Sequence, residues 1–281
     1  ANNYSVTYTL NDVTPPGHPA TNPNTVTSYT VLDPNVTLAP ATRTGYDFEG
    51  WYDNPGFSGA PITGFPTGDA ADKHYYAKWS AAKSYTVQWN LNDSAPAGHA
   101  ATNPNTVASY TVEDADITVH PATRTGYTFE GWYDNPGFTG TPVTTLHTMD
   151  AENKNYYAKW SAAPNSYPIH YMLNDSTPAG HPANNPAANL TSYTVLTNGS
   201  GNINLSPASR NGYTFDGWYD NPGFSGAPIT SFPAMDAAAK TFYAKWSAPN
   251  NYAVAYTLND GTPTGHPATN PNTVTSYTVL D

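Results

Sequence analysis

Three short phrases return along this chain at a nearly fixed interval, and that recurrence limits the fold more than any other property. Leu-Asn-Asp begins at Leu10, Leu91, Leu173 and Leu258; Gly-Trp-Tyr-Asp-Asn-Pro-Gly-Phe surrounds Trp51, Trp132 and Trp218; Ala-Lys-Trp ends at Trp79, Trp160 and Trp246. The differences between the Leu-Asn-Asp positions are 81, 82 and 85 residues. A chain with such a period folds as copies of one supersecondary unit, not as one large core. The units are 1–80, 81–162 and 163–247, with 248–281 the first half of a fourth. Extra length in the third unit falls at Thr197-Asn198-Gly199-Ser200-Gly201, a loop composition that takes insertions at low entropic cost.

Residues 252–281 repeat residues 4–33 except at Ser5/Ala253, Thr7/Ala255, Val13/Gly261 and Pro16/Thr264. The sequence is therefore expected to be a window from a longer array, the alternative being that the half unit docks on a neighbouring subunit. Either way Tyr256 and Leu258, on a strand without its covering partners, require cover from continuing sequence or another chain.

Each unit reads as β. Tyr4, Val6, Tyr8 and Leu10 alternate with Ser5, Thr7 and Thr9, and the later copies repeat this as Tyr85/Val87/Trp89/Leu91 and Tyr167/Ile169/Tyr171/Leu173. Strands are expected also at 28–32, 36–38, 45–52 and 74–79, the last with Tyr75, Ala77 and Trp79 facing inward. At most one helical turn is expected, near 69–72, 150–153 or 236–239. Pro168 cannot donate to a ladder, so its strand lies at an edge or leaves that N–H position pointing outward. Charged residues make up 11% of the chain and aromatic residues 14%. That much aromatic surface in periodic positions offsets ordering entropy, which excludes charge-driven disorder.

On these residues the chain resembles a known family, the Listeria–Bacteroides repeat, or internalin B-repeat. The resemblance rests on Tyr85-Thr86-Val87, on the run from Pro121 through Arg124, Gly126, Tyr127 and Phe129 to Trp132-Tyr133, and on Tyr156-Tyr157-Ala158-Lys159-Trp160. It covers essentially the whole chain. What it implies is mainly β structure in small tandem β-grasp-like modules, strung along the extracellular, cell-surface part of bacterial proteins. One departure stands out: residues 11–25 form a long Pro/His/Asn segment where the family has a short Asn-Gly-Gly turn.

Trp51, Trp79, Trp132, Trp160, Trp218 and Trp246 could stack on sugars, but at fixed inward positions of a small unit they read as core. Tyr52, Tyr133 and Tyr219 follow their tryptophans and so point the other way. With Asp53, Asn54, Asp134, Asn135, Asp220 and Asn221 they form the candidate ligand contact, an exposed ring beside a polar turn that suits a glycan or a host receptor. His18, His99, His181 and His266 each follow an aspartate (Asp12, Asp93, Asp175, Asp260) by six residues. One His and one Asp per unit is too few for a transition metal, so a loop hydrogen bond is the expected role, and no metal or cofactor is expected. Calcium at Asp53-Asn54 or Asp69 with Asp72 lacks the alternating spacing of an EF-hand. Arg43 with Glu49, Arg124 with Glu130 and Arg210 with Asp216 read as surface ion pairs. An isopeptide bond from Lys78, Lys159 or Lys245 would suit a cysteine-free stalk, although no Asn is placed beside them by the sequence.

The formal net charge of −11 includes no basic stripe, which argues against nucleic acid, and no apolar run is long enough to cross a membrane as a helix. No nucleophile elbow, P-loop or metalloprotease signature occurs. The reading is a non-enzymatic spacer, stalk or fibre-forming segment of a cell-surface adhesin-like protein. Its linkers, 80–84, 161–166 and 247–251, are so short that neighbouring repeats of the same or an adjacent chain must touch, giving an elongated rod.

Overall fold

The computed structural model describes residues 1–13, 17–95, 97–259 and 268–281. They divide into two compact units: Ala1–Ala97, Ala101–Thr123 and Phe129–Trp160 in the first, Gly98–Ala100, Arg124–Thr128 and Ser161–Asp281 in the second. Each unit is built from the same mixed sheet, present twice in the first and once in the second.

In the first repeat the sheet order is Ser28–Tyr29, Tyr4–Thr9, Lys73–Trp79, Phe48–Tyr52. Tyr4–Thr9 runs antiparallel to Ser28–Tyr29 and parallel to Lys73–Trp79, with Val6 opposite Lys73 and Tyr8 opposite Tyr75. The first and last strands of a repeat therefore meet at the centre of its sheet. The copies are Ser109–Tyr110, Tyr85–Asn90, Lys154–Trp160, Phe129–Tyr133 and Ser192–Tyr193, Tyr167–Met172, Lys240–Trp246, Phe215–Tyr219. A parallel central pair needs apolar side chains to cover it, and the period-two alternation supplies them.

The core of the first repeat gathers Val6, Tyr29, Leu38, Trp51, Phe65, Tyr75 and Ala77. Trp51 is 1% exposed and donates its indole N–H to the Ala39 carbonyl at 2.9 Å. Trp79 is half-buried at the core's rim and donates to the Leu10 carbonyl at 2.7 Å, with Phe48 edge-on to both indoles. Trp132 and Trp160, like Trp218 and Trp246, hold equivalent places. Trp51, Trp132 and Trp218 thus fill the cores, and Trp79, Trp160 and Trp246, partly buried, pack against their rims.

The strands are shorter than the hydrophobic pattern implies. The second and third reduce to Ser28–Tyr29 and Val36–Thr37, and that expected over 45–52 begins at Phe48. Three strands were hidden in apparent loop: Ala20–Thr21, its partner Thr42–Arg43, and Gly64–Phe65, which pairs with the expected Val36–Thr37. The first lies within the long Pro/His/Asn segment. Single 3-10 turns occur at Thr148–Asp150 and Ala234–Asp236, just before the expected positions, and a further one spans the inserted loop at Thr197–Ser200.

Pro168 lies in an inner strand, not an edge, and its second reading explains why it is tolerated. The parallel ladder starts one residue later, at Ile169. At the matching position Ser5 donates its N–H to the Asp72 side chain at 2.7 Å, and Thr86 to that of Asn153 at 2.9 Å. Where proline removes the donor, the acceptor position holds Ala239. The exchange leaves no buried polar group unpaired. In the terminal segment, Tyr252–Ala253 pairs with Ser276–Tyr277. Tyr256 and Leu258 are exposed, against the expectation that they are covered.

Candidate functional site

The Tyr-Asp-Asn-Pro-Gly turn was expected to present an exposed ring, and the structure corrects this. Tyr52, Tyr133 and Tyr219 lie on the face opposite their tryptophans but are buried. The chain after each one folds back over it. Phe57, in the left-handed region at φ 53°, sets its ring edge-on to Tyr52 at 5.6 Å, and the Lys78 ammonium lies over the other part of the ring at 5.7 Å. Phe138 with Lys159 and Phe224 with Lys245 cover Tyr133 and Tyr219 in the same way. Asn54 is consumed within the turn. Its amide donates to Asp53 and to the Ser58 carbonyl, and its carbonyl accepts from the Ser58 N–H and hydroxyl, all at 3.0 Å. Asn135 and Asn221 do the same for Thr139 and Ser225.

The aspartates of these turns are exposed, and each reaches the rim of a shallow groove that recurs in all three repeats. Asp53 shares it with Ile62, Asp69, Lys73 and Tyr75. Asp134 shares its copy with Val143, Asp150, Lys154 and Tyr156, and Asp220 its own with Ile229, Asp236, Lys240 and Phe242. In each groove the lysine is already paired, to Asp69 at 3.2 Å, Asp150 at 2.6 Å and Asp236 at 2.6 Å. Burial opposes the Lys154 charge, yet hydrogen bonds to Asp150 and Glu152 outweigh it and hold the ammonium above its ordinary range. Each lysine is neutralised by its aspartate, and the remaining carboxylates leave the grooves acidic. Of the turn residues only the aspartates face the groove; the tyrosine and asparagine do not converge with them.

The arginines also depart from expectation. Arg43, Arg124 and Arg210 are buried, and each donates its Nε–H to the backbone carbonyl of His18, His99 or His181 at 2.8–2.9 Å. Glu49 and Glu130 pair instead with Lys78 and Lys159 at 2.9 and 3.2 Å, so the charge pattern was legible but its partners were not. The loops are fixed by backbone and aspartate bonds and not, as expected, by the imidazoles within each loop: Asp12, Asp93 and Asp175 accept from the N–H of Ala20, Ala101 and Ala183 at 2.6 Å, while Nδ1 of His18 and of His99 is buried without a hydrogen-bond partner among the described residues. Asp260 and His266 lie outside the described residues.

These buried arginines support a joint that the sequence reading missed. Arg43 stacks on Tyr46, its guanidinium 4.1 Å from the ring centroid, and His18 meets the same ring edge-on. Beside Tyr46, Gly45 has φ +82°, and a Cβ there would overlap the side chain of Val112. Val112 is 2% exposed. The linker closes the joint: Lys83 N–H donates to the Gly45 carbonyl at 2.8 Å and Ser80 N–H to that of Asp47 at 3.0 Å. The Tyr46 hydroxyl donates to Glu113 at 2.6 Å; burial and that carboxylate push its pKa up to about 12. Within the second unit the arrangement recurs twice. Gly126, φ +80°, receives Val195, which is 0% exposed, and its carbonyl accepts from Asn165 N–H at 2.7 Å. Gly212, φ +76°, receives Val279, and its carbonyl accepts from Asn250 N–H at 2.7 Å. Arginine, glycine and tyrosine thus form a socket, and a valine about 70 residues downstream is its knob. The only sequence signal was a glycine and a valine recurring at the same period, with nothing to say they touch.

No helix among the described residues is long and apolar enough to cross a membrane. Two relatives from Evansella cellulosilytica are similar to this chain. One, named "Putative membrane protein", is 30% identical over 235 residues, 79% of this chain and 31% of that protein. The other, named "Putative Gly-rich membrane protein", is 34% identical over 148 residues, 49% of this chain and 16% of that protein. The chain thus spans a third or less of the length of these relatives. No solved structure matches it significantly, and no enzyme family is indicated. The pattern of the Listeria-Bacteroides repeat domain matches residues 4–78, 85–159 and 167–245, bounds that agree to within one residue with the three four-stranded sheets, and the chain belongs to that repeat family.

Proposed function

We propose that this chain is a non-enzymatic structural segment, a spacer, stalk or fibre-forming part, of an adhesin-like protein on the extracellular face of a bacterial cell. The observation that carries the reading is the knob-and-socket joint, which recurs with the same residue types at Gly45/Val112, Gly126/Val195 and Gly212/Val279. A binding module needs a ligand surface and leaves its linkers free; a spacer needs its repeats fixed to each other. The names of the relatives, which refer to membranes, support placement at the cell envelope. The glycan or receptor alternative has lost its aromatic platform, since Tyr52, Tyr133 and Tyr219 are buried.

The repeats are proposed to be β-grasp-like, a reading supported by the parallel pairing of first and last strands at the centre of the sheet. Fixed joints make the array a rod. A unit of this size has a diameter of about 30 Å, so three in line extend about 90 Å. Small-angle scattering of the full chain tests this: an elongated particle of that order is expected, and a near-spherical one would overturn the spacer reading.

A further inference from the structure

One half of a joint stands open in this chain. Val31 occupies the position of Val112, Val195 and Val279, in the same Tyr-Thr-Val phrase that follows the second strand. Val112 and Val195 are 2% and 0% exposed, whereas Val31 is 41% exposed and the adjacent Leu32 is 82%. Asn2, two residues before the first strand, occupies the position of Lys83, Asn165 and Asn250, whose N–H groups close the three joints on Gly45, Gly126 and Gly212. It too is exposed. The Asn165 and Asn250 side chains also accept from the Thr128 and Thr214 hydroxyls at 3.0 and 2.9 Å, a bond that asparagine at position 2 can reproduce.

We propose that Val31 and Asn2 form a docking surface for one kind of partner, another repeat of this family presenting an Arg-Xaa-Gly-Tyr socket with its glycine in the left-handed region. The partner is joined in line ahead of Asn2, not supplied by a separate molecule. Two observations fix that choice. In every joint the amide that reaches the glycine carbonyl belongs to the linker leaving the socket's own repeat, so the bond at Asn2 forms only if that repeat continues into Asn2. And the three sockets of this chain already hold Val112, Val195 and Val279, each tethered at high effective concentration, which a second molecule must displace. Position 32 is leucine, as at 196 and 280, so the incoming tyrosine meets an apolar residue and not the carboxylate that Glu113 gives Tyr46. The inference rests on the spacer reading only for its choice of partner.

The chain lacks cysteine, so a single introduced thiol reports on each knob without interference. Val31→Cys and Val195→Cys are each placed in the 281-residue chain, and Val31→Cys also in a chain extended by a copy of residues 163–248 ahead of Ala1, which keeps Asn2 in the register of Asn250. Thiol labelling is timed under native conditions. In the unextended chain the Val195→Cys thiol is expected to react at least about tenfold more slowly than the Val31→Cys thiol, because access to the buried knob requires opening of the joint. In the extended chain the Val31→Cys thiol is expected to slow to the rate seen for Val195→Cys. Fast labelling of Val195→Cys would discard the joint itself and with it the spacer reading. Slow labelling of Val195→Cys, with Val31→Cys still fast in the extended chain, would overturn the docking inference alone. Protection of the Val31→Cys thiol in the unextended chain that grows with protein concentration would also overturn it, by making the occupant a second molecule. Gly212→Val in the added repeat, which blocks its socket, is expected to restore fast labelling of Val31→Cys; unchanged protection there would show that the cover comes from elsewhere.

Discussion

At the scale of single residues, the alternation along a strand tells which face a side chain takes but not whether something covers that face. Trp132 and Tyr133 were legible as an inside and an outside residue, and the faces are right. Yet both are buried, because the Asp-Asn-Pro-Gly-Phe turn folds Phe138 onto the outer ring. Trp132→Ala is therefore expected to destabilise its repeat by about 3–5 kcal/mol, and Tyr133→Ala by a comparable amount, about 2–4 kcal/mol, where a surface tyrosine would cost under ~1. Native-state hydrogen exchange of the Tyr85–Asn90 amides checks this in the intact chain; an unchanged rate for Tyr133→Ala would reinstate an exposed ring. Tyrosine burial also fixes the alkaline limit. Burial holds Tyr156 and Tyr171 at about 12, as it does Tyr46, where the bond to Glu113 adds to it. In the unfolded chain these phenols titrate near ~10, so the unfolded state loses its protons first. Stability is expected to be intact below that value and to fall as pH rises toward 12. Circular dichroism with phenolate absorbance measures this, and loss of structure before the phenols ionise would contradict it.

Among elements, the long strands were legible because five or more residues are enough to show a period, while the two-residue ladders at Ala20–Thr21 and Gly64–Phe65 are too short to show one. A bulge was missed for a related reason. The register slips between Phe129 and Gly131. Gly131 sits at φ +132°, where a Cβ would come within 2.6 Å of the Pro142 Cβ. Gly131→Ala is expected to cost about 1–3 kcal/mol, read as faster exchange across Phe129–Tyr133. The Ser5/Asp72 pair gives a contrasting test. Ser5→Pro combined with Asp72→Ala copies the Pro168/Ala239 pair of the third repeat and is expected to leave the thermal transition nearly unmoved. Val6→Pro, one residue on, removes the N–H that bonds the Thr27 carbonyl at 2.8 Å and is expected to unfold the first repeat. If both variants melt alike, the assignment of that N–H position to side chains is wrong.

For the molecule as a whole, repeats held by nearest-neighbour joints unfold as separate units. Stretching the full chain is expected to give three major unfolding events. Each frees about 76 residues, which at ~3.5 Å per residue less a folded span of ~30 Å lengthens the chain by about 240 Å. A single cooperative event of three times that length would contradict independent repeats. The joint was the least legible feature, because its two halves lie nearly a whole repeat apart and neither is unusual alone. That separation has a consequence for how such arrays change length. Each copy carries a socket for the copy after it and a knob for the copy before it. A genetic crossover between any two equivalent codons therefore removes or adds one period and still leaves every socket facing a knob. Array length can drift by unequal recombination without a new surface having to evolve, and the gene sets the reach of the protein by counting.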